Sequence, residues 1–129
     1  MAFGGRIGDS AASPSKYVRR ERIMFARFIT LQLKPNLAKE FPVMFEKEIL
    51  PLLKKQKGFM DELLLVTPEK KELVAISMWE TKEYAEIYNR ELYPRVEKMV
   101  EKFIEGVPVV RNYEELFATF HKMAVAVTI

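Results

Sequence analysis

Two runs in the middle of the chain, Leu63-Leu64-Leu65-Val66 and Val74-Ala75-Ile76, are apolar at successive positions. A strand with one wet face alternates apolar and polar residues, because its side chains point to opposite faces in turn. Strands without that alternation are covered on both sides. A Thr67-Pro68-Glu69-Lys70-Lys71 turn joins the runs, so Phe59–Val66 and residues 72–80 pair as an antiparallel hairpin. Any fold for this chain has to cover both faces of a sheet.

The flanking segments supply cover for one face. Residues 24–33 read as a strand, with Phe25, Ile29, Leu31 and Leu33 on one side and Ala26, Phe28, Thr30 and Gln32 on the other. Lys34-Pro35-Asn36 ends it, and Asn36 is placed to cap the next element. Residues 37–57 carry helical spacing through Leu37, Phe41, Met44, Phe45, Ile49, Leu52 and Leu53, until Gly58 stops the helix. Pro42 is tolerable near its start, whereas Pro51 lies further in and should kink it at a cost of ~3 kcal/mol. Thr81 is a plausible N-cap for a second helical region in which Tyr84, Ile87 and Tyr88 share a face. Pro94 interrupts that region, Val96, Met99, Val100, Phe103 and Ile104 resume the stripe, and Gly106 ends it. Residues 107–113 form a fourth strand. Residues 114–129 alternate as a strand extension would, with a short helix as the alternative.

The order βαββαβ predicts a ferredoxin-like α+β domain, a four-stranded antiparallel sheet with helices on one face. Two helices cover one face only. A second copy packed sheet to sheet is the economical cover for the other, giving a homodimer through the open sheet face, a dimeric α/β barrel.

Charge narrows the partners. The chain carries 21 Lys/Arg and 18 Asp/Glu, a formal +3. Residues 1–23 hold five of the cations (Arg6, Lys16, Arg19, Arg20, Arg22) and two of the acids (Asp9, Glu21), so residues 24–129 carry 16 of each. The excess belongs to a Gly/Ser-rich leader, and a neutral body is no nucleic-acid surface. Residues 1–23 are thus expected to be a flexible leader, residues 24–115 the folded domain, and residues 116–129 a C-terminal extension at the dimer interface. No apolar run approaches the ~20 residues that span a bilayer, and the N-terminus lacks a signal-peptide core, so neither membrane nor export is expected and the cytoplasm is the default. With no cysteine and His121 as the one histidine, Cys-ligated and His-clustered metal sites are excluded.

Three stretches carry a resemblance. Met24-Phe-Ala-Arg-Phe-Ile-Thr-Leu-Gln-Leu-Lys-Pro-Asn36, Glu48-Ile-Leu-Pro-Leu-Leu-Lys-Lys-Gln-Lys-Gly-Phe59 and Ile76-Ser-Met-Trp-Glu-Thr81 resemble the antibiotic biosynthesis monooxygenase family. Gln56-x-Gly58-Phe59 after the first helix and Trp79-Glu80-Thr81 closing the third strand are its landmarks, and the match spans residues 24 to about 115. The resemblance implies the dimeric α/β-barrel fold. It also implies cofactor-independent oxidation of a small aromatic or quinol-type substrate by dioxygen, with no metal. Heme-degrading relatives use an Asn, a Trp and a His where this chain has Ile29, Tyr88 and Lys98, so heme degradation is not expected.

For the oxygenase chemistry, Tyr84, Tyr88 and Tyr93, beside Trp79 and with Arg27 on the first strand, are read as an aromatic-walled substrate pocket between helices and sheet, with Asn89 at its side. Arg27 would supply positive charge near a developing anion and Tyr88 a hydrogen bond. No residue stands out as a catalytic acid or base. The packing alternatives are Trp79 sealing the strand–helix junction, Tyr84 and Tyr88 packing at i, i+4 spacing, and Arg27 pairing with a glutamate. A second functional reading, a non-catalytic ligand-binding or stress-related dimer on the same barrel, is separated from the first by the size and polarity of the cavity.

Overall fold

A computed structural model describes residues 23–119. Within it Met24–Glu114 forms one compact unit. Residues 1–22 of the leader, and residues 120–129 of the C-terminal extension with His121, lie outside the described residues.

Four strands, β1 (Phe25–Leu33), β2 (Phe59–Val66), β3 (Glu72–Trp79) and β4 (Ile104–Glu114), make one antiparallel sheet in the order β2-β3-β1-β4. This is the ferredoxin-like arrangement. Helices α1 (Glu40–Met44), α2 (Leu50–Lys54), α3 (Lys82–Glu91) and α4 (Tyr93–Val100) bury Phe41, Met44, Leu53, Ala85, Tyr88, Val96 and Val100 against Phe25, Leu31, Leu33, Leu73 and Ala75 on one face of it.

The first helical region differs from the kinked helix predicted around Pro51. Pro51 sits in the first turn of α2, where its missing N–H is harmless. The strain it would place on the preceding turn is taken up by a π-helical turn, Phe45–Ile49, in which the Leu50 N–H reaches back to the Phe45 carbonyl. Asn36 does not cap α1 either. It takes a left-handed turn conformation at φ 67°, which Asn tolerates, and the helix begins after Lys39 without a side-chain cap. Thr81 does cap α3, its Oγ1 accepting from the Tyr84 N–H at 3.2 Å. Leu92 breaks the second region into α3 and α4, with Pro94 in the first turn of α4. On that region Ile87 is exposed while Tyr88 is buried.

The strand predicted to continue past residue 113 stops at Glu114, and none of the described residues beyond it is in a strand. The far face of the sheet carries Phe28, Val74, Met78, Leu63, Leu65, Val109 and Tyr113, of which the last four are about half exposed. Among the described residues no helix is long and apolar enough to cross a membrane.

Candidate functional site

The registers of three strand pairs line up a polar row across the helix-covered face. Ser77 stands opposite both Arg27 and Glu62, and Arg27 opposite Asn112, so the row runs Glu62–Ser77–Arg27–Asn112 through all four strands. Toward one end of the sheet lies the apolar row Leu64–Ala75–Ile29–Val110. Toward the other lie Phe59, Trp79 and Phe25. Of this row Arg27 and Ser77 are buried, Glu62 is half-buried and Asn112 is exposed; polar groups are costly to bury, and that cost marks the inner three for attention.

Arg27 is the centre of the row. It is 2% exposed, and its guanidinium is held by three groups from the second helical region. One nitrogen donates to the Asn89 side-chain oxygen, and the guanidinium carbon lies 4.2 Å from the Tyr93 ring centre and 5.3 Å from that of Tyr88. Such stacking contributes on the order of 0.5–2 kcal/mol per ring. The break at Leu92 places Tyr93 beside Tyr88, with ring centres 6.2 Å apart, so that both tyrosines reach one cation. Among the described residues Arg27 forms no hydrogen bond to a glutamate, and its Nη1 is buried without any hydrogen-bond partner. Burial pulls its pKa below the ordinary value, opposed by Tyr88, Tyr93 and Glu62.

Glu62 has the matching orphan. Its Oε1 is buried without a partner, and burial raises its carboxyl to about 8 even though Arg27 pulls the other way. At neutral pH Glu62 is therefore mostly protonated. Tyr88 and Tyr93 are also pushed up by burial and stay neutral.

Two spaces flank this row. An inner cavity of about 40 Å³ lies under the helices, lined on its polar side by Glu62, Ser77, Tyr88 and Tyr93 and elsewhere by hydrocarbon such as Ile29, Ala75, Phe45 and Val100. An outer groove of about 520 Å³ runs between α3 and the β1–β4 edge, lined by Phe25, Arg27, Lys82, Ala85, Glu86, Asn89, Val110 and Asn112. The substrate pocket predicted between helices and sheet is thus nearly filled by packing. Open space of ligand size lies on the other side of Arg27.

Of the residues singled out from sequence, Arg27, Tyr88, Asn89 and Tyr93 come together. Trp79 and Tyr84 line neither space. Trp79 is fully buried, donates from Nε1 to Ser77 Oγ at 2.9 Å, and packs on Tyr88 with ring centres 5.0 Å apart. Tyr84 closes over Gly58, which takes φ 84° beneath it. Sequence reasoning misses Glu62, Ser77 and Asn112. The lone serine in the apolar run Val74–Trp79 is the one visible signal, whereas Glu62 reads as an ordinary strand acid. Among the described residues no three His, Cys, Asp or Glu side chains are grouped as a metal site.

No protein-family model matches the chain, and no curated protein matches it. Solved structures do. A Streptomyces coelicolor monooxygenase from the gene ActVA-Orf6, in complex with nanaomycin D, superposes with a TM-score of 0.65 at 12% identity over 76% of this chain and 92% of that one. SnoaB, a cofactor-independent oxygenase from Streptomyces nogalater, gives 0.62 at 13% identity over 74% and 96%. A Bordetella bronchiseptica protein assigned to the antibiotic biosynthesis monooxygenases gives 0.62 at 15% over 73% and 98%. The chain therefore has the fold of the antibiotic biosynthesis monooxygenases.

Proposed function

We propose that this protein is a cofactor-independent monooxygenase that oxidises a small aromatic or quinol-type substrate with dioxygen, acting as a homodimer through the open sheet face. The observation that carries this reading is Arg27, a buried guanidinium whose side chain lines a groove of ligand size. The groove's 520 Å³ falls in the range of small-molecule sites. A substrate lying there places its acidic oxygen at Arg27, with the Asn89 and Asn112 amides at its edge. The cation favours the deprotonated form of an anthrone- or hydroquinone-like ring, because a fixed charge in a poorly hydrated site acts strongly on a developing anion.

For a ring CH₂ beside a carbonyl, the chemistry balances in three steps. The enolate gives one electron to dioxygen, and the radical pair joins through a new C–O bond. The peroxide takes back, through solvent, the proton lost in forming the enolate, and its O–O bond then breaks as the second C–H proton leaves, yielding a carbonyl and one water. Trp79 and Ser77 do not touch the substrate in this scheme. They position Tyr88, which with Tyr93 holds Arg27 flat.

Oxygen uptake with a panel of anthrones and hydroquinones tests the reading. Turnover that falls about 10- to 100-fold in Arg27→Lys supports it, since an ammonium cannot reproduce the stacked planar fork. Turnover indifferent to Arg27→Lys would refute the site. One observation favours the second reading, a non-catalytic ligand-binding dimer: the interior beneath the helices is packed down to about 40 Å³. Binding of a panel compound without any oxygen consumption would select it.

A further inference from the structure

The inner cavity is far too small for an aromatic ring, yet it is not a packing accident of the usual size. A water needs about 10–15 Å³ by this measure, so about 40 Å³ accommodates about three or four water-sized spheres. Its lining is hydrocarbon from Ile29, Leu31, Phe41, Phe45, Ile49 and Leu53 on one side to Val96 and Val100 on the other. Hydrocarbon walls of that kind take up small apolar gases. Its polar groups all belong to the row described above or to the two tyrosines stacked on Arg27.

We infer that the inner cavity is a dioxygen compartment, separated from the substrate groove by the Arg27–Tyr88–Tyr93 stack. The inference rests on the oxygenase reading and adds a location for the second reactant. A diatomic gas matches the space in both size and polarity. Tyr88 and Tyr93 line the cavity while Arg27, stacked on their rings, lines the groove, so the wall between the two spaces is the stack itself. Dioxygen stored on the inner side passes the stack to reach the substrate at the face where Arg27 holds its anion. Glu62 fits this role because its carboxyl is mostly protonated at neutral pH, leaving the cavity without a fixed anion.

Xenon is the probe. Crystals of the full chain under xenon pressure should show the atom between Ala75, Val96 and Val100, and methyl NMR in solution should show shifts confined to those residues. Ala75→Val should abolish xenon binding and raise the KM for dioxygen roughly threefold or more, with the KM for the aromatic substrate unchanged. Should Ala75→Val fold poorly, Val100→Ile fills the same space from the helix side. Absence of xenon from the cavity would overturn the inference. So would an unchanged KM for dioxygen in a filled variant that no longer binds xenon. Bound xenon with no oxygen uptake on any substrate would instead refute the oxygenase reading, and with it the part given to dioxygen.

Discussion

Glu62→Gln isolates the most unusual group in the fold. In the unfolded chain this carboxyl titrates near its ordinary 4.5, and in the folded chain near 8, raised by burial against the pull of Arg27. Between those values the folded state holds a proton that the unfolded state has released. Stability from this group is full below pH 4.5 and is lost as pH climbs toward 8, at a limiting slope of about 1.4 kcal/mol per pH unit. Integrated from pH 5 to pH 8 the loss is about 3–4 kcal/mol. For a domain of this size that corresponds to roughly 14–28 °C in Tm. Glutamine keeps the shape and cannot ionise, so the variant should match the wild type near pH 5 and melt well above it at pH 8. The assay is thermal unfolding by circular dichroism at half-unit pH steps for both proteins. Parallel curves would refute the reasoning, because they would mean that Glu62 ionises in the fold as easily as in water.

Arg27→Met removes the one charge that lowers the Glu62 carboxyl, so the fall should still begin near pH 4.5 but level off at a higher pH, as read from the same melts. Gly58→Ala places a Cβ 2.6 Å from Tyr84 Cβ and closer still to its ring, at φ 84°. Left-handed backbone alone costs about 1–2 kcal/mol, and denaturant unfolding should show a loss of about 3 kcal/mol once the overpacking is added. Leu65→Lys puts a charge on the exposed face of the sheet, and sedimentation at micromolar concentration should then report a monomer where the wild type is a dimer; a wild-type monomer would remove the proposed interface.

Why Glu62 escapes a reading of the sequence while Arg27 does not comes down to one residue of register. Counting by twos along β1 from Phe25 puts Arg27 on the same face as Ile29 and Leu31, and β1 keeps that parity against β3. The same count along β2 from Phe59 gives Asp61, Leu63 and Leu65, and turns Glu62 outward. The register of β2 against β3 slips between Phe59 and Asp61, and this bulge reverses the parity of everything after it. Glu62 and Leu64 thereby face the helices, and Leu63 and Leu65 face out. No local propensity announces the slip, because Met60 and Asp61 suit either side of an edge strand. The fold is legible because its signals are local: periodicity, the Thr81 cap, the Gly58 stop and the strands apolar on both faces. The site is not local. It is made by bringing Glu62, Ser77, Arg27 and Asn112 from four strands into one row, and by breaking a helix at Leu92 so that Tyr93 returns over Arg27. The chain tolerates an unpaired buried Arg27 Nη1 and an unpaired Glu62 Oε1 within that row, although pairing or replacing them would have been the more stable choice. Those groups lie between a cavity of about 40 Å³ on one side and an open groove on the other.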